Sequence, residues 1–208
     1  MCGRYKLSTP GDELWETFDI HGDAPELVPH FNIAPTQPIG VIRVPHRLEL
    51  LRWGIRIPNP RAGGFNVRVE SLGAPFYRDS IQGRRCLILA DGYYEWKTEG
   101  EGKTAKKQPL LIKRHDAKPF AFAGMWDKIV LKSGETVDAA TILTTVPRGA
   151  AAEAHDRMPV NPVAGPLREL ARPALEVSRP LGAGRGRARA RARVAAREFG
   201  EERLARVR

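Results

Sequence analysis

Cys2 is the residue of this chain best equipped for chemistry. Loss of Met1 would leave it with a free α-amine and a thiol on adjacent carbons. A 1,2-aminothiol reacts with an aldehyde in two steps: the amine condenses to a Schiff base, and the thiol then closes a five-membered thiazolidine ring. An α-amine titrates near pKa ~8 and a thiol near ~8.5, so a useful fraction of each is expected in its nucleophilic form at neutral pH. Gly3 lets the backbone pass close to a ligand. Arg4 offers a planar cation for an anion such as phosphate. A Met-Cys start also arises by chance, so the rest of the chain has to give it meaning.

The elements that must position these groups read as many short strands and few helices. Strands are expected over residues 4–7, 85–90, 93–97, 109–113, 120–126, 128–132 and 140–145, with a hairpin from 41–44 and 48–53. Residues 65–71 read as an extended polar segment, and Asp91-Gly92 as a turn. Helices are expected over residues 12–18, with Leu14, Trp15 and Phe18 on one face, and over 75–81 and 148–154. Loops are expected at 22–38, 58–64 and 98–106. The fold class is therefore α+β: a single domain built on a curved antiparallel β-sheet or barrel with a few short helices.

The length, 208 residues, suits one domain or one domain with an appendage, and the 42% hydrophobic content is enough for a core. The net charge of +10 suggests a polyanionic partner, but it is unevenly spread. From Asn161 onward there are twelve Arg, no Lys and five Glu, a net +7 that leaves +3 for the first 160 residues. Two cysteines, Cys2 and Cys86, make no disulfide framework. Together with His155 they offer no local chelate, so neither metal nor cofactor is expected. Cys86 sits among Leu87, Ile88 and Leu89 and reads as an inert buried thiol. No signal sequence or 18-residue apolar run is present, which points to a cytoplasmic protein with no membrane partner; a nucleoid-associated monomer is the further expectation.

Five blocks are more specific than composition requires: Met1-Cys2-Gly3-Arg4, residues 32–37, residues 66–71, residues 90–97, and His155-Asp156-Arg157-Met158-Pro159. In this order they resemble the SRAP family (SOS response-associated peptidase), the abasic-site processing proteins. The resemblance runs from Met1 to about Val160. It implies that Cys2, freed of Met1, attacks the open-chain aldehyde of an abasic deoxyribose in single-stranded DNA. The product would be a thiazolidine protein–DNA cross-link that protects the lesion. It also implies lyase-type Schiff-base chemistry, a self-peptidase activity removing Met1, and an active site completed by Asn66, Glu95 and His155. In this family the positions of Val67 and Val69 usually carry smaller residues.

Those residue types fit the chemistry. Asn66 can accept a hydrogen bond from the amine through its side-chain oxygen. His155 suits proton transfer near neutrality and the loss of water from the carbinolamine. Glu95, between Tyr94 and Trp96, should have its pKa raised by burial and could shuttle a proton. The bland alternatives are a turn Asn, an outward strand Glu and a helix-capping His. For DNA, Arg4, Arg68 and Arg78 could hold phosphates, while Trp53 and Trp96 could stack on bases; core packing is the competing role for both tryptophans. Trp126 is assigned to the core. Two other functions share parts of this pattern. A glutamine amidotransferase-like N-terminal nucleophile hydrolase would also start at Cys2 and would hydrolyse glutamine. A non-covalent basic DNA-binding protein would be indifferent to abasic sites.

The expected organisation is a catalytic domain over residues 1–160, a divergent segment over 161–180 with a helix at 166–177, and an Arg/Ala/Gly-rich tail over 181–208, disordered in large part. The abrupt change after Val160 fits either a nucleic-acid-binding extension or a frame-shifted C-terminus.

Overall fold

The computed structural model describes residues 2–44, 46–55, 64–162 and 202–206. In chain order its elements are β1 (Arg4–Leu7), α1 (Gly11–Phe18), β2 (His30–Ile33), β3 (Pro38–Arg43), β4 (Arg47–Trp53), β5 (Asn66–Arg68), α2 (Arg78–Gly83), β6 (Arg85–Ala90) and β7 (Gly92–Glu99). They continue with β8 (Lys106–Arg114), β9 (Phe120–Val130), β10 (Thr136–Thr145), α3 (Ala151–Ala154), β11 (Met158–Pro159) and β12 (Glu202–Arg206). Short 3-10 turns occupy Val69–Ser71, Pro75–Tyr77 and Gly102–Thr104.

Five strands close on themselves in the order β10–β4–β3–β6–β9, with β9 returning to β10. Closure removes the exposed edges that an open sheet of such apolar strands would present. Val41, Leu48, Ile88, Phe122 and Ile142 are among the side chains buried in the core. Gly124 shows how closely the wall is packed: a Cβ there would lie 2.8 Å from both Ile88 Cδ1 and the Thr141 carbonyl oxygen. The second sheet runs β12–β8–β7–β1–β2, antiparallel throughout. Its inner residues Tyr5 and Tyr93 pack edge-on to Phe122 of the barrel.

Asp91 ties β1 and α1 to the β6–β7 turn. Its buried carboxylate accepts from the Ser8 and Thr9 amides at 2.6 and 3.1 Å and from their hydroxyls at 2.9 and 2.7 Å. Four such bonds satisfy a carboxylate that would otherwise be costly to bury. The block at 32–37 is also structural in part. Gln37 Oε1 accepts from the Ala34 amide at 2.7 Å, and the Thr36 amide donates to the Trp53 carbonyl at 2.8 Å.

The α+β barrel matches the sequence expectation, with specific corrections. The sheet is not purely antiparallel, because β10 runs parallel to β4 and to β5. Residues 30–33, read as loop, form β2 by pairing with β1. The expected strands at 120–126 and 128–132 are one continuous strand, β9. On α1 only Leu14 is fully buried, while Trp15 faces water. Trp126 is half-buried beneath the Arg43 guanidinium, 4.4 Å from its ring centre. Residues 202–206, within the tail expected to be disordered in large part, pair with β8. The helix at 166–177, the low-complexity stretch at 182–193 and residues 58–63 of the expected loop lie outside the described residues.

Candidate active site

β10 brings the distant blocks together. Ile142 to Thr144 pair with Asn66 to Arg68 of β5 on one edge, and Thr144 and Thr145 pair with β11 on the other. Asn66 and the residues just before Met158 therefore arrive at the same end of the barrel. Along the second sheet, Arg4 of β1 lies opposite Tyr94 of β7, so the chain preceding β1 runs toward Glu95 and Trp96. Helix α3, with His155 as its C-cap, packs against β7.

Cys2 is completely buried, with Sγ 3.7 Å from the Arg4 carbonyl oxygen. Asn66, also buried, donates from Nδ2 to the Cys2 carbonyl at 2.7 Å. Its Oδ1 is buried and accepts no hydrogen bond among the described residues.

The thiol departs from the sequence expectation. Burial pushes the Cys2 thiol well above its ordinary range, the Glu95 carboxylate adds to the effect, and the amino-terminal charge and the Arg4 carbonyl contact oppose it. Burial thus disfavours the thiolate in the folded chain. Glu95 is buried, as expected for an inward position on β7. Burial raises its carboxyl pKa, Asp156 raises it further, and the amino-terminal charge pulls it down.

His155 is half-buried, and its pKa is lowered by burial, then by the amino-terminal charge and Lys107, against the pull of Asp156. Its Nδ1 lies 2.5 Å from the Asp156 carboxylate and 3.1 Å from the Arg157 amide nitrogen. These contacts ask opposite things of one nitrogen. The carboxylate contact is shorter and charge-assisted, so it decides the tautomer: Nδ1 carries the proton and Nε2 holds the lone pair. The amino-terminal charge acts on Cys2, Glu95 and His155 alike.

The expected DNA contacts divide. Arg4, Arg68 and Arg78 are exposed, with Arg4 Nη1 donating to Asn32 Oδ1 at 3.3 Å. Trp96 is 39% exposed on the outer face of β7. Trp53 is not available for stacking on bases. It is fully buried, its Nε1 donates to the Phe65 carbonyl at 2.8 Å, and Tyr5 and Phe65 close over its ring. Core packing wins because a large ring with a satisfied N–H contributes more inside than on the surface. Cys86 is a buried free thiol whose pKa burial pushes up.

Two residues escaped the sequence reading. Arg157, buried, donates to Glu70 from Nη1 and Nη2 at 3.0 and 2.8 Å and to the Thr144 carbonyl at 2.6 Å. This fork fastens the His155 segment to the turn following Asn66 and Arg68. The Arg157 guanidinium holds the Glu70 carboxyl below its usual range. Both residues were in view within the quoted blocks. An opposite-charge pair repeated in two separated polar blocks was the available signal.

The architecture has solved counterparts. One, a protein from Bacteroides thetaiotaomicron, superposes with a TM-score of 0.73 at 18% identity, covering 100% of this chain and 92% of its own. A phage-related protein from Bordetella bronchiseptica gives 0.66 at 28% identity, covering 100% and 94%. In sequence, the chain is 38% identical over 171 residues to the Abasic site processing protein YoqW of Bacillus subtilis, spanning 77% of this chain and 75% of that one. It is 29% identical over 171 residues to the Abasic site processing protein YedK of Escherichia coli, spanning 77% and 74%. Residues 1–163 match the family described as SOS response associated peptidase (SRAP), and the chain accordingly belongs to the SRAP family.

Proposed function

We propose that this chain processes abasic sites in single-stranded DNA by forming a thiazolidine at Cys2 once Met1 is removed. The observation that carries the reading is the Asn66 carboxamide, which donates to the Cys2 carbonyl at 2.7 Å and keeps a buried oxygen that accepts no hydrogen bond among the described residues. An amine freed at Cys2 would donate to this oxygen and present its lone pair outward. Relatives named abasic site processing proteins support the substrate class.

The steps follow from the residues. The Cys2 amine adds to C1 of the ring-opened sugar, giving a carbinolamine. The His155 Nε2 lone pair collects a proton in that addition and returns it to the departing hydroxyl, so water leaves and a C=N bond remains. Cys2 Sγ then adds to C1 while Glu95 accepts the thiol proton and passes it to the ring nitrogen. One C–N and one C–S bond form, and one water is released. The amine reacts first because the thiol closes the ring on the carbon of the C=N bond. Arg4, Arg68 and Arg78 would hold phosphates and Trp96 an unstacked base, as single-stranded substrates require. Among the described residues, no helix is long and apolar enough to cross a membrane.

Intact-protein mass spectrometry with a single-stranded abasic oligonucleotide tests the proposal. The expected result is a heat-stable adduct at Cys2 on chains lacking Met1, at the summed mass less one water. Cys2→Ala should give at most a reversible Schiff base. A variant with an uncleaved residue ahead of Cys2 should give no adduct. A heat-stable adduct from Cys2→Ala without reductant would refute the thiazolidine, and glutamine hydrolysis without any adduct would favour an amidotransferase-like enzyme.

A further inference from the structure

We propose that Asp19, His21 and His46 bind one divalent transition-metal ion where the end of α1 meets the β3–β4 hairpin. One ligand atom from each lies within 4.8 Å of the other two. His21 Nε2 is 3.2 Å from Asp19 Oδ1. None of these residues takes part in the chemistry around Cys2.

The local backbone prepares the ligands. His46 Nδ1 lies 2.9 Å from the Asp19 carbonyl oxygen, which can only accept. Nδ1 therefore carries the proton, and the lone pair of the neutral ring falls on Nε2. A ring N–H held by a backbone carbonyl is the usual way a metal-binding histidine is oriented. The His21 amide donates to the His46 carbonyl at 3.3 Å, and the two rings lie 5.7 Å apart with an interplanar angle of 22°. Asp19 and His46 both adopt left-handed backbone, with φ of 50° and 54°. Residues other than Gly seldom do so, and such conformations concentrate at functional positions.

The donor set selects the ion. Two imidazoles and a carboxylate suit zinc, cobalt or nickel, whereas calcium and magnesium prefer all-oxygen shells. Tetrahedral bonds of about 2.1 Å put ligand atoms roughly 3.4 Å apart, a spacing His21 and Asp19 already have. Side-chain exposures of 68% for His21, 69% for Asp19 and 24% for His46 leave room for the remaining closure. The separation of His46 from His21 by 25 positions explains why no chelating spacing shows in the sequence.

The test is calorimetric titration of Zn²⁺ into the full chain carrying no affinity tag, with Co²⁺ absorption as a second readout. The expected result is one equivalent bound, with at least tenfold weaker binding in His21→Ala and in His46→Ala and parent-like binding in Cys2→Ser. Zn²⁺ should also raise the melting temperature of the parent but not of His21→Ala, whose exposed side chain makes misfolding an inadequate explanation. Absence of uptake would overturn the proposal. So would uptake lost in Cys2→Ser and kept in His21→Ala, which would assign the ion to the aminothiol.

Discussion

Replacing Glu70 with Gln tests whether the fork between the two polar blocks positions the site. Among the described residues the Arg157 guanidinium donates three hydrogen bonds, two of them to Glu70 at 3.0 and 2.8 Å. A hydrogen bond to a charged group contributes about 1.5–3 kcal/mol. Glu70 is half in water, with 52% of its side chain exposed, so solvent screening reduces the expected loss to about 1–2 kcal/mol. At 1.4 kcal/mol per factor of ten, the unfolded population should rise roughly 5–30-fold. Urea unfolding at neutral pH measures this directly. The pH dependence supplies a sign. The Glu70 carboxyl is held below its ordinary value of 4.5, so its contribution is complete above that value and is lost as pH falls through the lowered one. The gap between parent and Glu70→Gln should therefore close in acid. Cross-linking should also slow, because Arg157 then no longer fixes the His155 segment against β5. Equal stability at neutral pH together with an unchanged cross-linking rate would refute the reasoning.

Glu95→Gln and His155→Ala should each slow cross-linking about 10²-fold while leaving oligonucleotide affinity unchanged in a filter-binding assay. Arg4→Ala and Arg68→Ala should instead weaken binding, each lowering the slope of log affinity against log salt by about 0.7. The cross-linking rate should fall as pH drops below the ordinary histidine range of about 6.5, because the lowered His155 pKa keeps the ring neutral above it; a rate that rises on acidification would make protonated His155 the working form. A chain ended at Pro180 should still cross-link but lose low-salt affinity for intact DNA, since nine Arg lie beyond that point. It should also aggregate more readily, because removing β12 bares the edge of β8; loss of cross-linking in a folded truncation would put the tail in the site.

The sequence by itself determined which groups could react and most of the secondary structure. Cys2 carries its amine and thiol whatever surrounds it, and runs such as Arg85–Ala90 and the 41–53 hairpin are specified by their own β-branched and turn residues. The resemblance to the SRAP family marked Asn66, Glu95 and His155 as candidates, although it assigned no contacts between them. Tertiary structure decided everything that depends on partners far along the chain. The parallel pairing of β10 with β4 and β5 leaves no periodicity of its own, since an apolar strand reads the same in either direction. Residues 30–33 became a strand only because β1 offered them an edge. Burial took Trp53 out of contention for DNA and raised the Cys2 thiol, effects set by neighbours 12 and 93 positions away, Phe65 and Glu95. Arg157 and Glu70, 87 positions apart, met because β10 carries β5 on one edge and β11 on the other. Reactivity of a group is a property of its own atoms, whereas its pKa, exposure and aim are set by dielectric and contacts that exist only once the barrel closes.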